Sequence, residues 1–199
     1  MSISEIQKYR KHEFNINEIF INRWSPRAMS GEGLSDDELM SLFEAARWAP
    51  SSFNGQPWRF LYARRNTENW NLFFNLLIDF NKGWAKNAAV LILVVSKKTF
   101  EHDGSLSVTH SFDTGAAWEN FALQGSLNGF VVHGMAGFDY ARARADLEIP
   151  DDFDVEAMIG VGKPGKKDAL PKEMQEKEMP SDRKKLSEIV IEGIFPNKL

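Results

Sequence analysis

No cysteine occurs anywhere in the 199 residues. That excludes disulfides, a thiolate nucleophile and Cys-ligated zinc. Nowhere do 18 uncharged apolar residues run together, so no transmembrane helix is expected, and Met1–Lys8 has no apolar core for a secretory signal. The net charge of −4 gives no surplus for the concentrated basic face of a nucleic-acid binder. No G-x-G-x-x-G follows a strand pattern, which removes the signature of a Rossmann nucleotide site. His12, His102, His110 and His133 are scattered and show no H-x-x-x-H or carboxylate spacing, so no metal is expected. What remains is 43% hydrophobic and 26% charged, which is ordinary for a folded chain rather than a disordered one. The length suits a single domain over residues 1–199, and the missing thiols suit a reducing, cytoplasmic compartment.

Helix and strand signals alternate along the chain. Ser35-Asp36-Asp37-Glu38 is a capping box, and Leu39, Leu42, Phe43 and Ala46 follow at helical spacing until Pro50. Trp58 to Ala63 reads as a strand and Thr67 to Phe80 as a second helix. The unbroken run Ala88–Val95 has the pattern of a strand buried on both faces. The stretch from Lys97 to Val108 is polar and reads as a loop. The longest helix is expected between Thr109 and Asn128, with Gly129 at its C′ position. It is rich in small residues, which let a backbone or a flat ligand approach closely. Phe130–Val132 and Val155–Val161 read as strands, Asp139 as a helix cap, and Gly162–Pro180 as a surface loop. Interleaved elements of this kind predict an α+β domain with helices packed on a central mixed β-sheet.

Two polar clusters stand out from this background. Ala49-Pro50-Ser51-Ser52-Phe53-Asn54-Gly55-Gln56-Pro57-Trp58 packs hydroxyls and carboxamides between two prolines. Carboxamides offer donors and an acceptor together, so such a loop suits a flat ring edged with N–H and C=O groups, a flavin being the common example. The same residues are ordinary turn formers, so composition leaves both readings open. Upstream, Arg23-Trp24-Ser25-Pro26-Arg27 places two guanidiniums and a hydroxyl within five residues, a compact trap for a phosphate. Arg183 could complete that cradle from the far end of the chain. Together the clusters match the two ends of flavin mononucleotide (FMN).

With these residues in place, the chain resembles the nitroreductase family of FMN-dependent oxidoreductases over roughly Arg23 to Ile191. The resemblance rests on the R-x-S-x-R opening, the A-P-S-S-x-N-x-Q-P-W loop, the segment Asp113-Thr114-Gly115-Ala116-Ala117-Trp118-Glu119-Asn120, Gly129, and Met135-Ala136-Gly137-Phe138. It implies an intertwined homodimer with two FMN sites at the subunit interface. It assigns the FMN phosphate to Arg23, Ser25, Arg27 and Arg183, and the ring edge to Met135, Ala136 and Gly137. Pro50, Ser51, Ser52, Asn54 and Gln56 would reach the flavin from the partner subunit. In the segment Asn81–Asn87, Lys82 is a further candidate, and the short stretch after Val190 implies a reduced C-terminal arm. Trp84, Phe112, Phe138 and the 97–108 loop are candidates for the substrate side.

The activity implied is transfer of electrons from NAD(P)H through flavin N5 to an electron-poor acceptor such as a nitroaromatic or quinone, with no catalytic side chain named. The same scaffold also serves reductive dehalogenation and the redox chemistry of enones or rings. A flavin-binding protein without turnover and a cofactor-free interaction domain remain as further readings.

Overall fold

A computed structural model describes residues 3–196. An N-terminal arm carries two single-turn helices, α1 (Ile3–Ile6) and α2 (Ile19–Asn22). The chain continues through α3 (Asp36–Arg47), β1 (Trp58–Arg64), α4 (Trp70–Phe74), α5 (Asp79–Ala85) and β2 (Val90–Lys97). Next come α6 (His110–Leu127), β3 (Val131–Met135), α7 (Tyr140–Asp146) and β4 (Phe153–Gly162). Two short helices, α8 (Lys172–Gln175) and α9 (Leu186–Ile189), follow. The expected capping box is present at α3, where Ser35 Oγ accepts from Glu38 N and the Glu38 carboxylate accepts from Ser35 N.

The four strands form one sheet in the order β1-β2-β4-β3. Each neighbouring pair is antiparallel, which corrects the expected mixed sheet. The sequence signal that suggested mixing has a physical source. Strands β2 and β3 are joined through α6 and point the same way, because both run against β4, but β4 lies between them and no parallel ladder forms. In the β2–β4 ladder, Val94 faces Ala157 and Val95 faces Val155, so Glu156 is the extra residue of a β-bulge.

Side-chain alternation in β2 divides the interior into two cores. Leu91, Leu93 and Val95 pack with Phe73, Leu77, Trp84 and Met158 on one face. Val90, Ile92 and Val94 pack with Leu39, Leu42, Ala117 and Phe121 from α3 and α6 on the other. The small-residue surface of α6 permits that approach: a Cβ at Gly125 would collide with the Val132 side chain.

Two expectations fail locally. The helix predicted over 67–80 breaks after Phe74, because Ile78 N bonds Gly137 O at 3.2 Å and Asp139 N bonds Leu76 O at 2.9 Å. Those backbone groups serve a tertiary pairing instead of continuing a helix. The stretch from Gly162 to Pro180 is not merely a surface loop, since Leu170 and Met174 enter the first core and Glu178 is buried. Its apolar residues are too sparse to give a periodic signal, yet Leu170 and Met174 are buried in that core. Among the described residues no helix is long and apolar enough to cross a membrane.

Candidate functional site

The Arg23–Arg27 segment is held by buried charge. Glu178, 4% exposed, accepts hydrogen bonds from Arg27 N at 2.7 Å and Ala28 N at 2.8 Å, and its other oxygen lies 3.8 Å from Arg27 Nη1. Arg23 Nη1 donates to Ser25 Oγ at 3.3 Å, and Arg23 Nε lies 3.6 Å from Glu119. Arg10 is the residue that sequence reasoning missed here. Its buried guanidinium donates to Ile21 O (2.9 Å), Arg23 O (2.6 Å) and Ser181 O (2.8 Å), tying the N-terminal arm to the C-terminal segment. Burial, followed by the neighbouring charges of Arg183 and Arg23, pulls its pKa down to about 10. Arg10 thus brings the Arg183 segment towards Arg23, although among the described residues the exposed Arg183 guanidinium donates within its own segment, to Ser181 and Asp182.

His133 closes the same region from β3. Its Nδ1 lies 3.0 Å from Pro26 O, and its ring sits 4.6 Å from that of Trp84. Burial pushes its pKa down to about 4, assisted by Arg27 and Arg23 and opposed by hydrogen bonds to the Pro26 and Ser25 backbone. The imidazole is therefore neutral at pH 7, and the Pro26 carbonyl is a partner for an Nδ1–H donor.

A cavity of about 410 Å³ joins the two predicted ends of the site. Ser25 stands at one side and Met135 and Ala136 at another, with Ser111, Thr114, Gly115 and Trp118 of α6 and Glu156 of β4 completing the wall. A larger cavity of about 730 Å³ lies between the N-terminal arm and the end of α6, but it takes in neither Ser25 nor the 135–137 turn. The turn itself is clamped by Asn81, whose Nδ2 donates to Gly137 O at 2.9 Å. A Cβ at Gly137 would lie 2.7 Å from that Nδ2 and from Ile78 Cδ1, so a larger residue would push the Asn81 amide off its hydrogen bond.

Arg23, Arg27, Lys82, Gly137 and Arg183 do not line the smaller cavity. Lys82 instead pairs with Asp79 at 3.7 Å. Trp84 and Phe138 are buried core residues and Phe112 is 80% exposed, so of the aromatics it is Trp118 that lines the cavity.

Pro50, Ser51, Ser52, Asn54 and Gln56 also stay outside that cavity. Their loop packs on the start of α6, where the buried carboxylate of Asp113 accepts from Ser52 N at 3.0 Å and from Thr109 Oγ1 at 3.2 Å. Internally, Ser51 Oγ accepts from Gln56 N at 3.1 Å and Gln56 Nε2 donates to Asn54 O at 3.1 Å. Phe53, Asn54 and Gln56 all adopt left-handed φ values of 50°, 53° and 46°. Three such residues in four are costly for L-amino acids and mark the loop as shaped for a task rather than for stability.

The donor set and space suit an anionic ligand carrying a flat ring. Arg27 Nε and Thr114 Oγ1 are buried with no hydrogen-bond partner among the described residues; Thr114 stands in the cavity wall, whereas Arg27 lies outside it, two residues beyond Ser25. A Cβ at Gly115 would meet nothing within 4 Å, so protein packing does not require glycine there and the cavity keeps the space.

Comparison with known proteins agrees with this geometry. The nitroreductase family matches residues 21–71, the span holding both polar clusters. A solved oxidoreductase containing FMN is 44% identical, with a TM-score of 0.90 over 95% of this chain and 97% of its own. A nitroreductase family protein from Clostridium difficile 630 (24% identity, TM-score 0.69, 92% and 100% coverage) shares the fold. So does a protein from Desulfovibrio desulfuricans solved with FMN (24%, 0.70, 90% and 96%). None of the curated proteins matches. With near-complete coverage of the 44% identical oxidoreductase and the family match centred on the Arg-Ser-Arg and carboxamide segments, the chain belongs to the nitroreductase family.

Proposed function

We propose that the chain is a single-domain FMN-dependent oxidoreductase that takes electrons from NADH or NADPH and delivers them to a small electron-poor acceptor such as a quinone or nitroaromatic. The observation that carries this reading is the cavity joining Ser25 to Met135 and Ala136, in a chain 44% identical to an oxidoreductase containing FMN. Bound flavin supplies the hydride chemistry. The chain's own residues bind and orient it. Arg23, Ser25, Arg27 and Arg183 hold the phosphate, with Arg10 and Glu178 fixing the backbone they stand on. The 135–137 turn, clamped by Asn81, presents backbone to the ring.

The carboxamide loop serves a second copy of the chain. Phe53, Val108 and Phe112 are 84%, 83% and 80% exposed, and Trp48 is 72% exposed. Apolar surface on that scale around one loop favours burial against a partner. In the resulting homodimer, Pro50, Ser51, Ser52, Asn54 and Gln56 complete the partner's site.

The absorbance spectrum of the purified protein tests the reading. A yellow protein whose flavin band bleaches on anaerobic addition of NADH or NADPH supports it. A colourless protein that takes up no FMN in excess overturns it. A coloured protein that neither nicotinamide bleaches is a carrier rather than a reductase.

A further inference from the structure

The bulge in β4 points to a group the proposed reaction needs and the phosphate and carboxamide clusters do not supply. Reducing a quinone by two electrons from a nicotinamide requires two protons for two oxygens, whereas a hydride carries only one. The other must come from the protein or solvent. Glu156 is the bulged residue opposite the Val94–Val95 junction, and bulges re-aim side chains next to active sites. Here Glu156 lines the cavity that holds Ser25, Met135 and Ala136. It also lines a second, solvent-facing cleft of about 400 Å³ with Ser111, Tyr140, Arg144 and Asp154. Glu156 and Ser111 therefore form the partition between the two.

A hydrogen-bonded chain feeds this carboxyl. Ser96, wholly buried on β2, donates its hydroxyl to Glu156 Oε1 and lies 2.7 Å from His110 Nδ1. Ser111 Oγ donates to the same Oε1 at 2.6 Å. Because the Ser96 hydrogen is committed to the carboxylate, Nδ1 of His110 must be the donor to Ser96, an assignment that follows from the network. His110 Nε2 faces Asp154 at 3.8 Å. Lys98, 3.8 Å from Asp154, and Tyr140, bonded to Glu156 O at 3.4 Å, are the other titratable groups against the cluster, with Arg144 across the cleft.

We propose that Glu156 is a catalytic proton donor to the acceptor, resupplied from His110 through the Ser96 hydroxyl. The inference rests on the redox reading above. A proton leaving His110 Nδ1 reverses both hydrogen bonds of the Ser96 link and protonates the Glu156 carboxylate. In the step that follows, the Glu156 O–H bond breaks and an O–H bond forms on the acceptor, while the nicotinamide supplies the electron pair and the other hydrogen as a hydride. His110 regains its proton from solvent at the second cleft. Glu156 faces the acceptor; Ser96 and His110 are positioning residues that act through it.

The test compares two acceptors on the flavin-loaded protein: a water-soluble benzoquinone, which takes up protons, and ferricyanide, which takes only electrons. In Glu156→Gln the ratio of quinone to ferricyanide turnover should fall about a hundredfold, the lower end for a general acid. In Ser96→Ala it should fall less. A ratio unchanged in both variants, or equal losses with both acceptors, overturns the proposal. If Glu156→Gln does not fold by circular dichroism, Ser96→Ala decides. A readout independent of turnover is the 15N spectrum of labelled histidine, which should show His110 Nδ1 protonated in the native protein and Nε2–H favoured in Ser96→Ala. The same tautomer in both overturns the relay. Failure of either nicotinamide to bleach the flavin would overturn the redox reading and this inference together. Normal bleaching with an unchanged acceptor ratio would overturn this inference alone.

Discussion

The Arg23–Arg27 segment and the 50–57 loop were singled out by the same kind of polar sequence, yet the fold treats them oppositely. The first is tied down by buried or half-buried groups of both signs: Arg10 and Glu178 on its backbone and His133 against Pro26. The second is anchored at its two ends, by Asp113 on Ser52 N and by Lys97 N on Pro57 O, while its middle carries three left-handed residues and leaves Phe53 84% exposed. A site complete within one chain would have no reason for such a contrast. A site shared between two copies would, because the loop meets its partner only on assembly. In the homodimer proposed above, the chain would stabilise one half of the site by itself and leave the other half to the second copy.

The sharpest way to break this contrast is to remove the carboxylate under the first segment. Glu178→Ala leaves two buried N–H groups, those of Arg27 and Ala28, without an acceptor, at a cost of roughly 3 kcal/mol or more. Glu178→Gln keeps an oxygen for both donors and should lose less than half as much. Urea denaturation measures both. Equal losses would mean that charge, not the acceptor oxygen, holds the segment.

His133 gives the next effect, and it depends on pH. Its pKa is about 4 in the fold against an ordinary 6.5, so the unfolded chain binds the extra proton between those values. Stability is then full above about pH 6.5 and declines as pH falls towards 4, by up to about 3 kcal/mol. His133→Asn should flatten that window in thermal melts taken from pH 4 to 7, whatever its effect at neutral pH. An unchanged slope would place the acid sensitivity elsewhere.

How much of this was legible in the sequence depends on how local the signal was. The α3 capping box, the doubly buried β2 and the α6 end at Gly129 rest on neighbours in sequence, and all three stand in the structure. The break after Phe74 did not show, because its cause is a pairing with residues 137–139. Arg10, Glu178 and Glu156 were invisible for the same reason. Each lies in a segment with no motif of its own, and each works through partners at least 11 residues away. Asn81 and Lys82 illustrate the limit well: adjacent residues, of which the buried amide clamps the 135–137 turn and the charged one pairs with Asp79.

Arg27→Ala asks whether the tied segment binds what it was read to bind. Losing charge-assisted bonds of roughly 1.5–3 kcal/mol should weaken FMN at least about tenfold in a fluorescence titration. Arg27→Lys keeps the charge but not the planar fork and should fall between. An unchanged affinity in both would confine Arg27 to its pairing with Glu178.

The smallest effect is expected at Phe53, and it discriminates most finely between the two halves. A left-handed φ of 50° costs a bulky residue about 1–2 kcal/mol, which glycine would recover. Glycine also raises the entropy lost on folding by about 1 kcal/mol, and the edge-on contact with Phe100 at 5.6 Å disappears. These terms nearly cancel, so Phe53→Gly should alter the stability of the isolated chain by less than about 1 kcal/mol. A loop held for the partner's benefit should nonetheless show the change in dimer dissociation by analytical ultracentrifugation. A stability loss above about 2 kcal/mol with dimerisation intact would make Phe53 a structural residue of its own chain, and the two halves of the site would then be built alike.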